Sequence, residues 1–329
     1  MRLVFMGTSE FAVPALHALY DAGHAIVAVV TRPDRPRRRQ SDPPAPSPVK
    51  KTAIDLGLPI LDPASVREAG FADRLAALAP DVMVVVAYGQ ILPADMLRLP
   101  PRGCINLHAS LLPKYRGAAP IARALMVGEK ITGVTTMQMD AGVDTGDILL
   151  QRDCPIGIED TTATLTPRLA AIGAPLLVET IDRLGRGALD PRRQDAAGAT
   201  LAPPLRKEDG RIDWNADAGS IANQVRGCNP WPVARTTHRG AVLQILRAEV
   251  SFRPPPETRQ GAGVPPADRP APGQVQAGDR GRLIVACRGD SRLEILELRF
   301  PGGKSISARD AVNGRLVRAG EILGAPVVR

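Results

Sequence analysis

Aromatic side chains are scarce in this chain. Two tryptophans, three tyrosines and five phenylalanines make up 3% of 329 residues, whereas hydrophobic residues reach 44%. Cores can form, but they must be largely aliphatic. Cysteine is scarce too: Cys104, Cys154, Cys228 and Cys287 lie far apart with no C-x-x-C, so neither a zinc site nor a disulfide framework is expected. The four histidines form no H-x-x-x-H or H-E-x-x-H, and no metal is expected. No apolar run approaches the roughly 20 residues that span a bilayer, so no membrane partner is expected. The first residues, M-R-L-V-F-M-G, enter a strand at once without a secretory hydrophobic region, which suggests a cytoplasmic protein. Internal repeats are missing. So is G-x-G-x-x-G, since only Gly7 follows the first strand, and this disfavours a dinucleotide-dependent dehydrogenase.

The length suits two domains. The net charge of +8 is unevenly distributed. Residues 1–189 carry 20 Lys+Arg against 19 Asp+Glu, residues 190–209 balance at 4 against 4, and residues 210–329 carry 18 against 11. A basic C-terminal part suits a polyanionic partner. Because nearly all the excess is Arg, biased codon usage accounts for it equally well.

Taken in order, Arg2–Met6 reads as a strand, Glu10 onward as a helix ended by Gly23, and Ala25–Val30 as a buried parallel strand. The Gly7-Thr8-Ser9 amides at that helix start could hold an anion or a carboxylate. A loop follows with Arg32, Arg35, Arg37, Arg38 and Arg39 among prolines. It is either a solvated loop or a phosphate-gripping arm. Ser47-Pro48 predicts a helix start, with the helix running to Gly57. Then come a strand near Leu58–Leu61, a helix from Ser65 to Leu78, and D-V-M-V-V-V-A at Asp81–Ala87, the strongest central-strand pattern in the chain. Further elements are a helix over Ala118–Val127, strands over Ile131–Met139 and Gly146–Cys154, and a long helix over Thr161–Leu184. This alternation predicts an α/β fold with a doubly wound, mostly parallel sheet in residues 1–189. Residues 190–209 read as a linker. Beyond it, one helix (Ala218–Arg226) and short segments (Ala241–Ala248, Leu283–Cys287, Leu293–Phe300) predict a C-terminal antiparallel β-barrel, OB-like, over 210–329. A disordered Pro-rich insertion is expected near 252–275.

The chemistry concentrates in G-C-I-N-L-H-A-S-L-L-P-K-Y-R-G, Gly103–Gly117. Alternate side chains of a strand share a face, so Asn106 and His108 project together, with Ser110 as a possible third before Pro113. Ligands of open α/β sheets bind beyond the strand C-termini, where this pair lies. The pair could instead merely hydrogen-bond nearby loops. Cys104 beside it is a nucleophile or a small buried hydrophobe.

The flanking segments favour the reactive reading. M-G-T-S-E-F-A-V-P-A-L, R-P-D-R-P, S-P-V-K, V-V-V-A-Y-G-Q-I-L-P, the Gly103–Gly117 stretch, T-G-V-T-T-M-Q-M-D-A-G-V-D-T-G-D-I-L, I-D-W and N-P-W-P together resemble the folate-dependent formyltransferases. The closest likeness is to the branch directed at methionyl initiator tRNA. It extends over nearly the whole chain outside the Pro-rich insertion. The resemblance implies a Rossmann-like formyltransferase domain and a tRNA-binding C-terminal barrel. It also implies transfer of the formyl group of 10-formyltetrahydrofolate to the α-amino group of methionyl initiator tRNA, by a monomer. Asn106, His108 and Asp144 match the family's catalytic positions, with Asp140 the rival within the same loop. Gln90, Ile91 and Leu92 together with the Asp140–Asp144 loop would hold the pteridine, and Ser110, Leu111, Leu112 and Pro113 would lie along the folate. Arg32, Arg35, Arg37, Arg38, Arg39 and Lys50 would grip the tRNA. The chain departs from the family where glycines and a Lys pair commonly follow the arginines, and at Pro204, where Lys is common.

The elementary chemistry agrees. When an amine attacks a formyl carbon, the carbonyl oxygen gains negative charge. One amide donor such as Asn106 is worth roughly 3–4 kcal/mol there. An imidazole that donates to that oxygen or moves the amine's proton adds roughly 10²–10⁴-fold. The same trio would serve formylation of an amino sugar nucleotide or a glycinamide ribonucleotide, or formyl hydrolysis. The basic C-terminal part and the Arg loop favour the tRNA acceptor. A non-catalytic nucleic-acid-binding protein would need none of the three residues.

Overall fold

The computed structural model describes residues 1–34, 44–251, 270–278 and 281–324. Arg35, Arg37, Arg38, Arg39 and most of the Pro-rich insertion therefore lie outside the described residues. The chain divides into two compact units. The first comprises Met1–Ile121, Lys130–Ile156 and Thr164–Pro203, and the second comprises Ala122–Glu129, Gly157–Ala163 and Pro204–Arg329.

In the first unit, strands β1 (Arg2–Gly7), β2 (Ala25–Val30), β3 (Ile60–Leu61), β4 (Val82–Val86), β5 (Cys104–His108), β6 (Ile131–Gln138) and β7 (Ile148–Pro155) form one sheet, ordered β3-β2-β1-β4-β5-β6-β7. Pairing is parallel from β3 to β5 and antiparallel from β5 to β7. The doubly wound, mostly parallel sheet read from the sequence is thus present. Every residue of β4 is buried, as an uninterrupted valine-rich run requires when both faces are covered. The order reverses between β1 and β4, which puts a switch point at the C-terminal ends of those two strands, with β5 next to β4.

The helices in chain order are α1 (Val13–Asp21), α2 (Pro48–Asp55), α3 (Phe71–Ala77), α4 (Ala94–Leu97), α5 (Pro120–Val127) and α6 (Thr162–Gly185). Ser47 caps α2 by accepting the Lys50 N–H at 3.0 Å. The helix predicted from Ser65 to Leu78 is shorter than expected. Ser65 and Glu68 close a local turn through their side chains, and Gly70 at φ 76 interrupts the backbone before α3 begins.

In the second unit, α7 (Ala218–Gly227) precedes an antiparallel sheet of β8 (Ala234–His238), β9 (Ala241–Val250), β10 (Val275–Ala277), β11 (Leu283–Ala286), β12 (Arg292–Arg299) and β13 (Ser305–Ser307), followed by α8 (Ala308–Asn313). β9 lies along one edge of β12, and β11 then β13 share the other. Strands β8, β10 and β13 are too short or too polar for alternation to reveal them. The core is mostly aliphatic, with Cys287 and Trp214 within it and Phe300 packed against it, and the Trp214 indole N–H donates to Thr236 Oγ1 at 3.0 Å.

One carboxylate ties the C-terminal segment to β8. Glu321 Oε2 lies 2.8 Å from His238 Nε2, and Arg239 pairs with the same side chain. Burial alone would raise this carboxyl. Hydrogen bonds from His238, Arg239 and the Arg318 N–H outweigh it and hold the value at about 2, below the ordinary 4.5. The unfolded chain regains the ordinary value, so the contribution is complete above about pH 4.5 and disappears as pH falls toward 2. On the order of 3 kcal/mol of stability should be lost over that window. Urea unfolding at stepped pH should show it, and Glu321→Gln should flatten the response.

Candidate active site

His108 ends β5, and its ring lies between a backbone carbonyl and a carboxylate. Nε2 lies 2.9 Å from the Tyr115 carbonyl oxygen. A carbonyl can only accept, so Nε2 carries a hydrogen. Nδ1 faces Asp144 Oδ2 at 3.6 Å. That gap is longer than a direct hydrogen bond, so Nδ1 is the ring position open to proton exchange. Asp144 Oδ2 also accepts the Gly117 N–H at 2.8 Å, which fixes the carboxylate. Asn106 lies two residues before His108 on the same strand face and is half-buried. Among the described residues its side-chain amide has no hydrogen-bond partner, so both N–H groups are available to a bound oxygen.

Asp140, the rival carboxylate, is turned into its own loop. Its Oδ1 accepts from Gly142 N at 3.0 Å and from Thr145 Oγ1 at 2.6 Å. The intervening loop ends at Gly146, where a Cβ would lie 1.7 Å from the Gln138 carbonyl oxygen. Gly146→Ala should therefore destabilise the protein by about 3 kcal/mol, the upper end for overpacking. The midpoint of urea unfolding measures this, and an unchanged midpoint would contradict the close approach.

Ser110 lies beyond the strand and is fully buried. Its hydroxyl donates to the Lys114 carbonyl at 2.6 Å, so it shapes the loop and does not extend the Asn106–His108 face. Leu112 is buried against Met137 and Ile148, while Leu111 and Pro113 are half-buried. Two residues that no sequence pattern singled out brace this segment. Thr135 Oγ1 donates to Ser110 O at 2.7 Å and accepts from Leu112 N at 3.1 Å, and Gln151 Nε2 donates to Leu112 O at 2.9 Å. Beyond the C-terminal end of β4, Gln90 accepts the Val66 N–H at 3.0 Å, Leu92 is buried, and Ile91 is 69% exposed.

The cations predicted to grip phosphate separate. Arg32 is exposed. Lys50 Nζ instead lies 2.9 Å from Asp34 Oδ1 and 2.8 Å from Asp62 Oδ2. The hydrogen bonds to Asp62 and Asp34 raise its pKa, and its charge is compensated within the fold. Cys104 is fully buried, and burial pushes its thiol up to about 12, so it behaves as a small hydrophobe and not as a nucleophile. Among the described residues no group of three or more His, Cys, Asp or Glu could hold a metal ion, and no helix is long and apolar enough to cross a membrane.

Comparison with known proteins gives consistent findings. Residues 1–181 match the family model described as formyl transferase, and residues 204–316 match formyl transferase, C-terminal domain. The chain is 46% identical over 324 residues to a methionyl-tRNA formyltransferase of Citrifermentans bemidjiense, covering 98% of this chain and 96% of the relative. It is 50% identical over 315 residues to the enzyme of that description from Anaeromyxobacter dehalogenans, covering 95% and 97%. Among solved structures, an N-formyltransferase from Helicobacter canadensis in complex with folinic acid and dTDP-3-aminofucose shares the fold. Its TM-score is 0.64 at 16% identity, over 90% of this chain and 98% of that one.

Proposed function

This chain belongs to the methionyl-tRNA formyltransferase family, and on that premise we propose that it transfers the formyl group of 10-formyltetrahydrofolate to the α-amino group of methionyl initiator tRNA. The product is N-formylmethionyl-tRNA for translation initiation. The observation that carries the reading is the His108 ring, fixed between the Tyr115 carbonyl and the Asp144 carboxylate, with the Asn106 amide on the same strand face.

The folate supplies the formyl carbon on N10. The methionyl amine forms a bond to that carbon, the bond to N10 breaks, and N10 takes up a proton. Asn106 donates to the formyl oxygen as its negative charge develops, where a fixed donor counts most. His108 accepts the amine's proton at Nδ1, the edge not engaged by Tyr115, and Asp144 balances the resulting charge. Of the two roles the sequence left open for His108, this geometry favours the proton shuttle, because the Nε2 hydrogen already points at a protein carbonyl.

The residues around the strand ends fit a flat ring system. Ile91 and Val143 carry large apolar side chains that are 69% and 57% exposed, the kind of surface a pteridine covers. Gln90, Leu92, Ser110, Leu111, Leu112, Pro113 and Asp140 contribute backbone groups or shape the loops that present them. Residues 1–189 form the folate and catalytic domain, and the basic residues 210–329 form the tRNA-binding domain. Arg32 is the cation of the proline-rich loop, among the described residues, best exposed to phosphate. In this reading the protein works as a cytoplasmic monomer.

The deciding experiment incubates the protein with 10-formyltetrahydrofolate and charged initiator tRNA, beside an amino sugar nucleotide and glycinamide ribonucleotide, and follows which amine gains the formyl group. Exclusive formylation of a small amine would overturn the tRNA assignment. Affinity for the tRNA should fall steeply as salt rises, because phosphate contacts release counterions. A flat salt response would remove the polyanionic partner.

A further inference from the structure

The two groups that hold the His108 ring are both in strained backbone, and a single remote segment braces both. Tyr115 has φ 62 and Asp144 has φ 53, the left-handed region that side-chain-bearing residues seldom adopt. Such conformations persist only where the surroundings over-determine them. Here the surroundings are residues 192–202, which follow α6.

On the Asp144 side, the Gln194 side chain is 8% exposed, and both halves of its amide are in use. Nε2 donates to Asp144 O at 2.9 Å and to Gly146 O at 2.7 Å. Oε1 accepts from Arg116 Nε at 3.0 Å and from a second Arg116 nitrogen at 2.7 Å. Gln194 therefore joins the loop carrying Asp144 to the loop carrying Tyr115. On the Tyr115 side, Thr200 Oγ1 accepts the Tyr115 N–H at 2.8 Å, and the backbones of Arg116 and Thr200–Ala202 exchange further bonds. Arg192 pairs through its backbone with Ile148 at the start of β7, anchoring the segment's other end.

We propose that residues 192–202 act as a clamp on the catalytic imidazole, with Gln194 and Thr200 as positioning residues: Gln194 sets Asp144 against Nδ1, and Thr200 sets the Tyr115 carbonyl against Nε2. The proposal rests on the formyl-transfer reading for its consequence in turnover, but not for its geometry. Among the described residues neither side chain hydrogen-bonds the ring. Each holds the backbone of the residue that does. A misplacement of about 1 Å in such a pair can cost about 10²-fold in rate.

The two halves of the Gln194 amide separate by substitution. Gln194→Glu keeps an acceptor for Arg116 and strengthens it with charge. It also replaces the donor to Asp144 O and Gly146 O by an oxygen that both carbonyls repel. In this variant kcat for formyl transfer to methionyl-tRNA should fall about 10²-fold, while KM for the folate donor stays within about twofold. The 15N resonance of His108 Nδ1 should move, and the four histidines make assignment tractable. Thr200→Val keeps the volume and loses the acceptor, so its signature should be a moved Nε2 resonance with a similar loss of kcat.

A purely structural role predicts lower thermal stability with unchanged ring resonances and kcat in the folded protein, and that result overturns the proposal. If Gln194→Glu does not fold, Thr200→Val decides by the same two readouts. If the wild-type protein transfers no formyl group to the tRNA, the functional reading fails, and the ring resonances of the variants still decide the clamp.

Discussion

His108→Ala is expected to lower kcat for formyl transfer by roughly 10²–10⁴-fold, the range for losing a positioned general base. The substitution removes the ring whose Nδ1 faces Asp144 Oδ2 at 3.6 Å. The amine's proton must then leave to solvent or directly to Asp144, which remains bound to the Gly117 N–H. KM for the folate donor should change little, since the ring is buried and its Nε2 edge is engaged by the Tyr115 carbonyl. His108→Gln separates proton transfer from packing. Its amide can still donate to the Tyr115 carbonyl but cannot shuttle a proton at neutral pH, so it should be about as impaired as alanine. Turnover within a few-fold of wild type in either variant would remove His108 from the reaction.

Asn106→Ala should cost roughly 10²–10³-fold in kcat, the measured scale for one oxyanion donor. Its half-buried amide has no hydrogen-bond partner among the described residues, and it lies on the strand face it shares with His108. A donor with no structural partner is free to act on a ligand. Its removal should leave stability within about 0.5 kcal/mol, as for substitutions outside a packed network. Asn106→Asp is the sharper variant. It keeps the shape and replaces two N–H donors by a carboxylate that repels the developing oxyanion, so it should be at least as slow as alanine. If Asn106→Ala instead unfolds the protein at lower urea while its kcat persists, the amide is structural and the oxyanion assignment falls.

Much of the frame was legible in the chain. The apolar runs of β2 and β4 and the Ser47 cap are read from pattern, and the helices α1, α2, α5, α6 and α7 lie where the sequence places helices. Less legible were the segments where side chains compete with the backbone. The turn at Ser65–Gly70 displaced the first half of a predicted helix, and the polar strands β8 and β13 gave no alternation to read. The cations divided in a way no composition argument could anticipate, because Lys50 meets two carboxylates that approach it only in the folded chain.

The sequence by itself determined that Asn106 and His108 share one face at a strand's end, because the two-residue side-chain period belongs to the strand backbone wherever it is placed. It also carried the family likeness, and with it the pairing of this strand with a later acidic loop. Only the tertiary structure decided how that pairing is held. Asp140 is turned into its own loop while Asp144 faces the ring, Tyr115 fixes the other edge, and Gln194 and Thr200 hold both partners. Those contacts join residues up to tens of positions apart, in two left-handed bends. No local pattern encodes them, because their distances depend on where sheet register and chain return place each loop.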